Sequence, residues 1–234
     1  MKSATVMLLM ASMLFGATVC CPPPASNTAV NVKSPELERK QLVEVIEKKT
    51  VALVEDDEGV EMPYCSGVWI GQEEILTALH CMMMTETGTV KYKTLDDADK
   101  PSKVAKIVGF DPENDLAILH VDPKTMAPHL VASVAQESWD GEHVNIVGHT
   151  TGLWWTYIEG VVSSTRVKED SRGRPRLMLQ ISSPAWFGNS GGGAWNDRGE
   201  LIGISSFITT KAPLMSFFIH HEHIKQIVFV ARLR

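Results

Sequence analysis

From Thr50 onward the chain is a succession of short apolar or alternating runs, each closed off by Gly, Asp, Asn or Pro, and that texture reads as an all-β fold. The first set of candidate strands covers residues 51–54, 66–70, 74–78, 90–94, 104–109 and 116–121. The second covers 143–147, 157–163, 176–181, 192–195, 201–207 and 215–219, with 127–139 as the connection between the sets. Two groups of six imply two six-stranded antiparallel β-barrels, about 50–125 and 140–220, rather than one large sandwich. Helical spacing appears only at the flanks. Ser34-Pro35 is a cap followed by a first-turn proline, with Leu42, Val43 and Ile46 on one face, and Ile224, Ile227, Val228 and Ala231 recur helically within 221–233. These readings make 36–234 one folded domain with an N-terminal and a C-terminal helix.

A hydrophobic share of 44% against 21% charged residues is that of a chain able to bury a core. The net charge of -6, with 28 acids against 22 bases and no basic cluster interleaved with aromatics, excludes a nucleic-acid partner. Lys2 followed by the uncharged apolar run 6–19 reads as an export signal over 1–19, too short for a membrane span, with 20–35 as a flexible linker. Gly16-Ala17-Thr18-Val19-Cys20 resembles a bacterial lipoprotein processing site, although Val19 is larger than the residue usual there. Two outcomes stay open: a membrane tether through lipidated Cys20, or ordinary cleavage to a soluble form. Either makes the protein secreted or resident in the cell envelope. In that oxidising setting Cys65 and Cys81, which close a short loop, are expected to form a disulfide.

Gly188-Asn189-Ser190-Gly191-Gly192 carries the strongest chemical signal, because flanking glycines let the backbone turn sharply and leave a serine hydroxyl exposed. Such a hydroxyl needs an imidazole to take its proton and a carboxylate to orient that imidazole. His80 ends the run Ile75-Leu76-Thr77-Ala78-Leu79, and Asp115 stands at the mouth of Leu116-Ala117-Ile118-Leu119. His220-His221-Glu222-His223 invites a metal reading, but no His-Glu-x-x-His helix accompanies it, and a strand-to-helix corner is the better account. No metal and no cofactor are expected.

The stretches Cys65-Ser66-Gly67-Val68-Trp69-Ile70, Leu76-Thr77-Ala78-Leu79-His80-Cys81, Asn114-Asp115-Leu116-Ala117 and Gly188-Asn189-Ser190-Gly191-Gly192 resemble, in order, the signatures of the trypsin-like serine protease superfamily. Ala105 to Ala117 and Gly199-Glu200-Leu201-Ile202-Gly203-Ile204 bring it nearest in flavour to the HtrA/Deg-type branch. The resemblance implies a serine endopeptidase acting on proteins or peptides through an acyl-enzyme. His80, Asp115 and Ser190 would form its triad, the Gly188 and Ser190 N–H groups an oxyanion hole, and the Ser206 hydroxyl a support for the triad acid. It further implies a substrate pocket with Pro184 near the floor, Ser206 and Phe207 along it, and Ile208 where many relatives have glycine. An isoleucine there shortens the pocket, so small aliphatic P1 residues are expected. Three departures accompany the likeness. The Cys65 and Cys81 pair is more like the animal digestive branch, where two cysteines flank the histidine hairpin as a disulfide. The chain stops soon after its last helix, where Deg-type enzymes usually continue into a PDZ module. Asn189 replaces the aspartate of the zymogen switch, which implies activity without an activating cleavage. The rival readings are an α/β-hydrolase esterase built on Gly188-x-Ser190-x-Gly192, and a barrel-fold binding module that has lost its chemistry.

Overall fold

In the computed structural model the described residues are 35–85, 87–126, 129–169, 173–208, 212 and 214–232, so the export signal, Cys20 and most of the linker lie outside them. Helix α1 (Pro35–Lys49) starts on a proline whose fixed φ suits the first turn, and buries Ile46 with Leu42 packed beside it. Its last residue anchors it: Lys49 Nζ donates to the Gly199 carbonyl at 3.0 Å and lies 5.2 Å from the Trp195 ring centre. The chain then passes directly into strand, as expected.

The first barrel contains β1 (Thr50–Asp57), β2 (Val60–Trp69), β3 (Glu74–Ala78), β4 (Thr89–Thr94), β5 (Lys103–Asp111) and β6 (Leu116–Val121). It closes in the order β1-β2-β3-β6-β5-β4. The second contains β7 (His143–Gly148), β8 (Thr156–Glu169), β9 (Pro175–Ser182), β10 (Gly193–Trp195), β11 (Leu201–Ile208) and β12 (Met215–His220). It closes as β10-β11-β12-β9-β8-β7. All named strand pairs are antiparallel, and closure removes the free edges that an open sheet would leave. Helix α2 (His221–Arg232) follows β12 without a loop and buries Ile224 and Ile227.

Closed barrels leave no place for the strand–helix alternation that an α/β-hydrolase requires, so the esterase reading falls. β10 begins at Gly193, one residue later than expected, because Gly192 belongs to the turn around Ser190 and donates its N–H to Asn189 O at 2.8 Å.

Alternation explains the unbroken apolar runs. In β6, Leu116 and Ile118 belong to a core shared with the second barrel and α2, whereas Ala117 and Leu119 belong to the interior of the first. β3 divides likewise, with Leu76 in the shared core and Ile75 inside the barrel. A strand buried on both faces has no polar face to alternate with. The shared core, which also includes Val68, Val147, Trp195 and Ile204, holds the two barrels together along the seam from which the site residues project.

Candidate active site

Three loop segments converge where the barrels meet. The first follows β3, where a 3-10 turn (Leu79–Met84) carries His80, and Cys81 is bonded to Cys65 of β2 with an S–S distance of 2.05 Å. The second is the turn before β6. Asp115 there adopts φ 57°, a left-handed conformation that costs a non-glycine residue free energy and so needs support from its surroundings. That support is visible: Asp115 O accepts Leu79 N–H at 2.9 Å, and its Oδ1 accepts His80 N–H at 3.0 Å. The remaining carboxylate oxygen, Oδ2, lies 2.9 Å from His80 Nδ1 and accepts the Ser206 hydroxyl at 2.6 Å. Ser206 reaches it because the β11–β12 register slips between Ser205 and Phe207, and the bulge turns this residue off the ladder.

Burial alone would raise the Asp115 carboxyl pKa. The hydrogen bond and charge of His80, the Ser206 hydroxyl and the His80 N–H outweigh that, and hold it below the usual carboxylate value. The acid is therefore ionised at neutral pH. An ionised carboxylate facing Nδ1 selects the imidazole tautomer with its proton on Nδ1 and leaves Nε2 as the basic nitrogen.

Ser190 provides the third segment. His80 and Ser190 line the same cleft of about 420 Å³, together with Tyr64, Trp186, Phe207 and Ile208. Ser190 O accepts Ser66 N–H at 2.8 Å, and Cys81 Sγ lies 3.6 Å from the same oxygen, so the disulfide packs against the serine turn. Two glycines are required here. A Cβ on Gly191 (φ 81°) would sit 2.2 Å from Ser66 O, and one on Gly188 (φ 92°) 2.1 Å from His149 O.

The directions of the loop's N–H groups follow from their carbonyls, since N–H and C=O point oppositely across a trans peptide. Phe187 O accepts Thr151 N–H at 2.7 Å, and Asn189 O accepts Gly192 N–H at 2.8 Å. Both carbonyls are thus held by protein donors, and the Gly188 and Ser190 N–H groups point the other way. Among the described residues neither N–H has a protein acceptor. Asn189 is buried, and its Nδ2 donates to Thr150 Oγ1 at 2.6 Å, so the loop is tied to the second barrel through an uncharged side chain.

Among the sequence expectations, His80, Asp115, Ser190, Gly188, Ser206, Phe207, Ile208, Cys65 and Cys81 all gather at this seam. Pro184 does not: it is exposed and absent from the cleft lining, where Trp186 and Phe187 stand instead. The Ser206 hydroxyl bonds Asp115, although the residue also borders the cleft. Ser66, His149 and Thr151 were not anticipated as site residues: Ser66 stands in the signature Cys65-Ser66-Gly67 without an assigned role, and His149 and Thr151 stand in no motif. The His220–His223 cluster is divided among separate partners. His220 Nδ1 accepts Glu222 N–H at 3.2 Å, and His223 Nε2 accepts Leu177 N–H at 3.2 Å. Cys65, His80 and Cys81 are the one group with metal-ligand spacing among the described residues, and the two sulfurs are already bonded to each other. No helix among the described residues is long and apolar enough to cross a membrane.

Comparison with known proteins bears on the family and the fold. The family model for the trypsin-like peptidase domain matches residues 65–204. Protease Do-like 1, chloroplastic, of Arabidopsis thaliana is 34% identical over 156 residues, covering 64% of this chain and 34% of the relative. A probable periplasmic serine endoprotease DegP-like of Pseudomonas fluorescens is 34% identical over 116 residues, covering 49% of this chain and 24% of its own length. Serine protease HTRA2, mitochondrial, of Bos taurus is 27% identical over 220 residues, covering 87% and 46%. The chain thus spans less than half the length of these relatives. Among solved structures, the HtrA-type protease AlgW with a decapeptide superposes with TM-score 0.70 at 20% identity, covering 81% of this chain and 66% of that one. The active form of the Rv3671c protease from M. tuberculosis does so with TM-score 0.69 at 19% identity, covering 82% and 85%. The domain of ordered motifs and closed barrels, matched by its family model over more than half of the sequence, makes this chain a member of the trypsin-like peptidase family.

Proposed function

We propose that this chain is a serine endopeptidase that hydrolyses peptide bonds through an acyl-enzyme on Ser190. The observation that carries the reading is His80, fixed through Nδ1 by a partly buried, ionised carboxylate at 2.9 Å and bordering the cleft that Ser190 borders. In this scheme His80 Nε2 takes the Ser190 hydroxyl proton as Oγ bonds the peptide carbonyl carbon. The same nitrogen returns that proton to the leaving amine as the C–N bond breaks. Water, deprotonated by His80 Nε2, then attacks the acyl carbon, and as the C–Oγ bond breaks the same nitrogen returns that proton to Ser190 Oγ, releasing the acid and the free serine. Negative charge on the former carbonyl oxygen is met by the N–H groups of Gly188 and Ser190, whose peptide planes are already held in place. Asp115 stabilises the imidazolium and keeps its tautomer.

Substrate choice follows from the cleft. Trp186, Phe207 and Ile208 give it apolar walls, and His80 is the one titratable side chain among the described lining residues outside Tyr64. A basic or acidic P1 side chain would therefore be desolvated without a partner, and apolar P1 residues are favoured, small aliphatic ones above all because Ile208 occupies the wall. The export-type N-terminus, the Cys65–Cys81 disulfide and the periplasmic DegP-like relatives support action in the periplasm or outside the cell. Whether Cys20 carries lipid is separable from the chemistry, and metabolic labelling with a fatty-acid probe decides it.

The test is turnover of a library of internally quenched peptides by wild type and Ser190→Ala. The expected loss in kcat is about a millionfold, with cleavage after small apolar residues. Equal rates for the two proteins would end the assignment, and a profile dominated by Arg or Lys would end the specificity reading.

A further inference from the structure

We propose that Ser66 and His149 are positioning residues that lock the oxyanion loop in its working conformation, an inference that rests on reading Ser190 as the nucleophile. Ser66 lies on β2 of the first barrel, His149 directly after β7 of the second, and both are fully buried. Ser66 Oγ is 2.8 Å from Gly188 O and 2.9 Å from His149 Nδ1. A carbonyl can only accept, so the single hydroxyl proton of Ser66 goes to Gly188 O. The contact to the ring then needs its proton from His149, which fixes that imidazole as the Nδ1–H tautomer. The result is a directed relay, His149 Nδ1–H to Ser66 Oγ–H to Gly188 C=O.

The backbone of Ser66 holds the same loop again, its N–H donating to Ser190 O at 2.8 Å, while Thr77 Oγ1 holds Ser66 O at 2.7 Å. One residue thereby grips the carbonyls on both sides of the Asn189 backbone. Gly188 needs such a grip. With no Cβ and φ of 92° it has the rotational freedom to turn its N–H out of the cleft, and the flanking carbonyls oppose that together with the Asn189 N–H, which donates to Trp186 O at 3.1 Å. The preceding carbonyl, Phe187 O, is held by Thr151 N–H at 2.7 Å, and Thr151 has a left-handed φ of 51° in the segment that begins at His149. His149 therefore serves two purposes: its ring sets the Ser66 hydroxyl, and its packing at 5.0 Å against the Trp155 ring fixes the segment bearing Thr151. Burial keeps the imidazole neutral, with its pKa pushed down to about 3, so the relay persists across the ordinary working range of pH.

The experiment compares wild type, Ser66→Ala, His149→Ala and His149→Asn, whose amide N–H can take the place of Nδ1–H. Readouts are kcat and KM on a peptide amide, affinity for a peptide boronate whose oxygen enters the oxyanion site, and the 15N resonances of the His149 ring. Ser66→Ala should lower kcat by about 10- to 100-fold, a fraction of the loss of a whole oxyanion donor, with boronate affinity falling in parallel and KM nearly constant. His149→Ala should do the same, and His149→Asn should recover most of the loss. Should His149→Ala fail to fold, Ser66→Ala, which deletes one oxygen, carries the test. Unchanged kcat in Ser66→Ala, a loss confined to KM, or a wild-type ring protonated on Nε2 overturns the relay. A wild type that neither turns over peptide nor reacts at Ser190 removes the nucleophile assignment instead, and the ring tautomer is still readable in that protein.

Discussion

Ser206→Ala isolates the support of the partly buried acid. In the native protein Asp115 Oδ2 receives two donors, His80 Nδ1 at 2.9 Å and Ser206 Oγ at 2.6 Å, while Oδ1 receives His80 N–H at 3.0 Å. The substitution deletes the shortest of three bonds to a carboxylate whose side chain is 17% exposed, too little for water to replace the donor freely. A hydrogen bond to a charged group contributes about 1.5–3 kcal/mol, and stability at pH 7 should fall by that amount. The Asp115 pKa is depressed in the folded state, so its stabilisation is fully present above the unfolded value near 4 and is lost as pH falls through the lower folded value. The gap between wild type and Ser206→Ala should therefore narrow below about pH 4, where a neutral carboxyl bonds the hydroxyl more weakly. Urea unfolding at pH 7 and at decreasing pH measures the gap, and the same samples should show kcat lowered about tenfold, equivalent to about 1.4 kcal/mol of transition-state stabilisation. A stability loss below about 0.5 kcal/mol at pH 7 would refute the claim that this hydroxyl sustains the ionised acid.

Further predictions concern disulfide, acid and pocket. Replacing Cys65 and Cys81 together by serine opens a link of sequence separation 16 and should cost about 3 kcal/mol, lowering the thermal midpoint by about 6–12 °C in calorimetry. His149 and His220 have folded pKa values pushed down by burial to about 3 and about 4, so the unfolded chain binds more protons in acid. Stability should be full above about pH 6.5 and decline as pH falls toward those values, by about 1.4 kcal/mol per pH unit for each ring. His149→Asn should remove one proton's share of that slope in urea titrations at pH 7, 6 and 5, and an unaltered slope contradicts the assignment. Ile208→Gly should move the preferred P1 residue toward larger apolar side chains in a peptide library, whereas an unchanged profile would show that Ile208 does not set the pocket wall.

Strand positions were legible because β6 and β3 are apolar on both faces and closed by turn residues, which leaves length as the arbiter between strand and helix. The serine turn was legible from its glycines, whose missing Cβ atoms the structure explains through Ser66 O and His149 O. The neighbourhood of Pro184 was not legible, because the order of residues before Gly188 does not reveal which way that loop turns or that Trp186 lines the cleft. Ser66 and His149 were invisible as a pair. They are 83 positions apart, nothing in either local context points to the other, and their contact exists only once both barrels have closed and docked. Ser206 was legible through the family resemblance and not through strand alternation, which the bulge in β11 interrupts at that residue.

The central claim, that Ser190 is a nucleophile activated by His80, is tested most directly by mass spectrometry after reaction with a fluorophosphonate. One covalent phosphonyl adduct should form on Ser190 of the wild type and be nearly abolished in His80→Ala. A wild-type protein left unmodified, or modified at a different serine, would contradict the account.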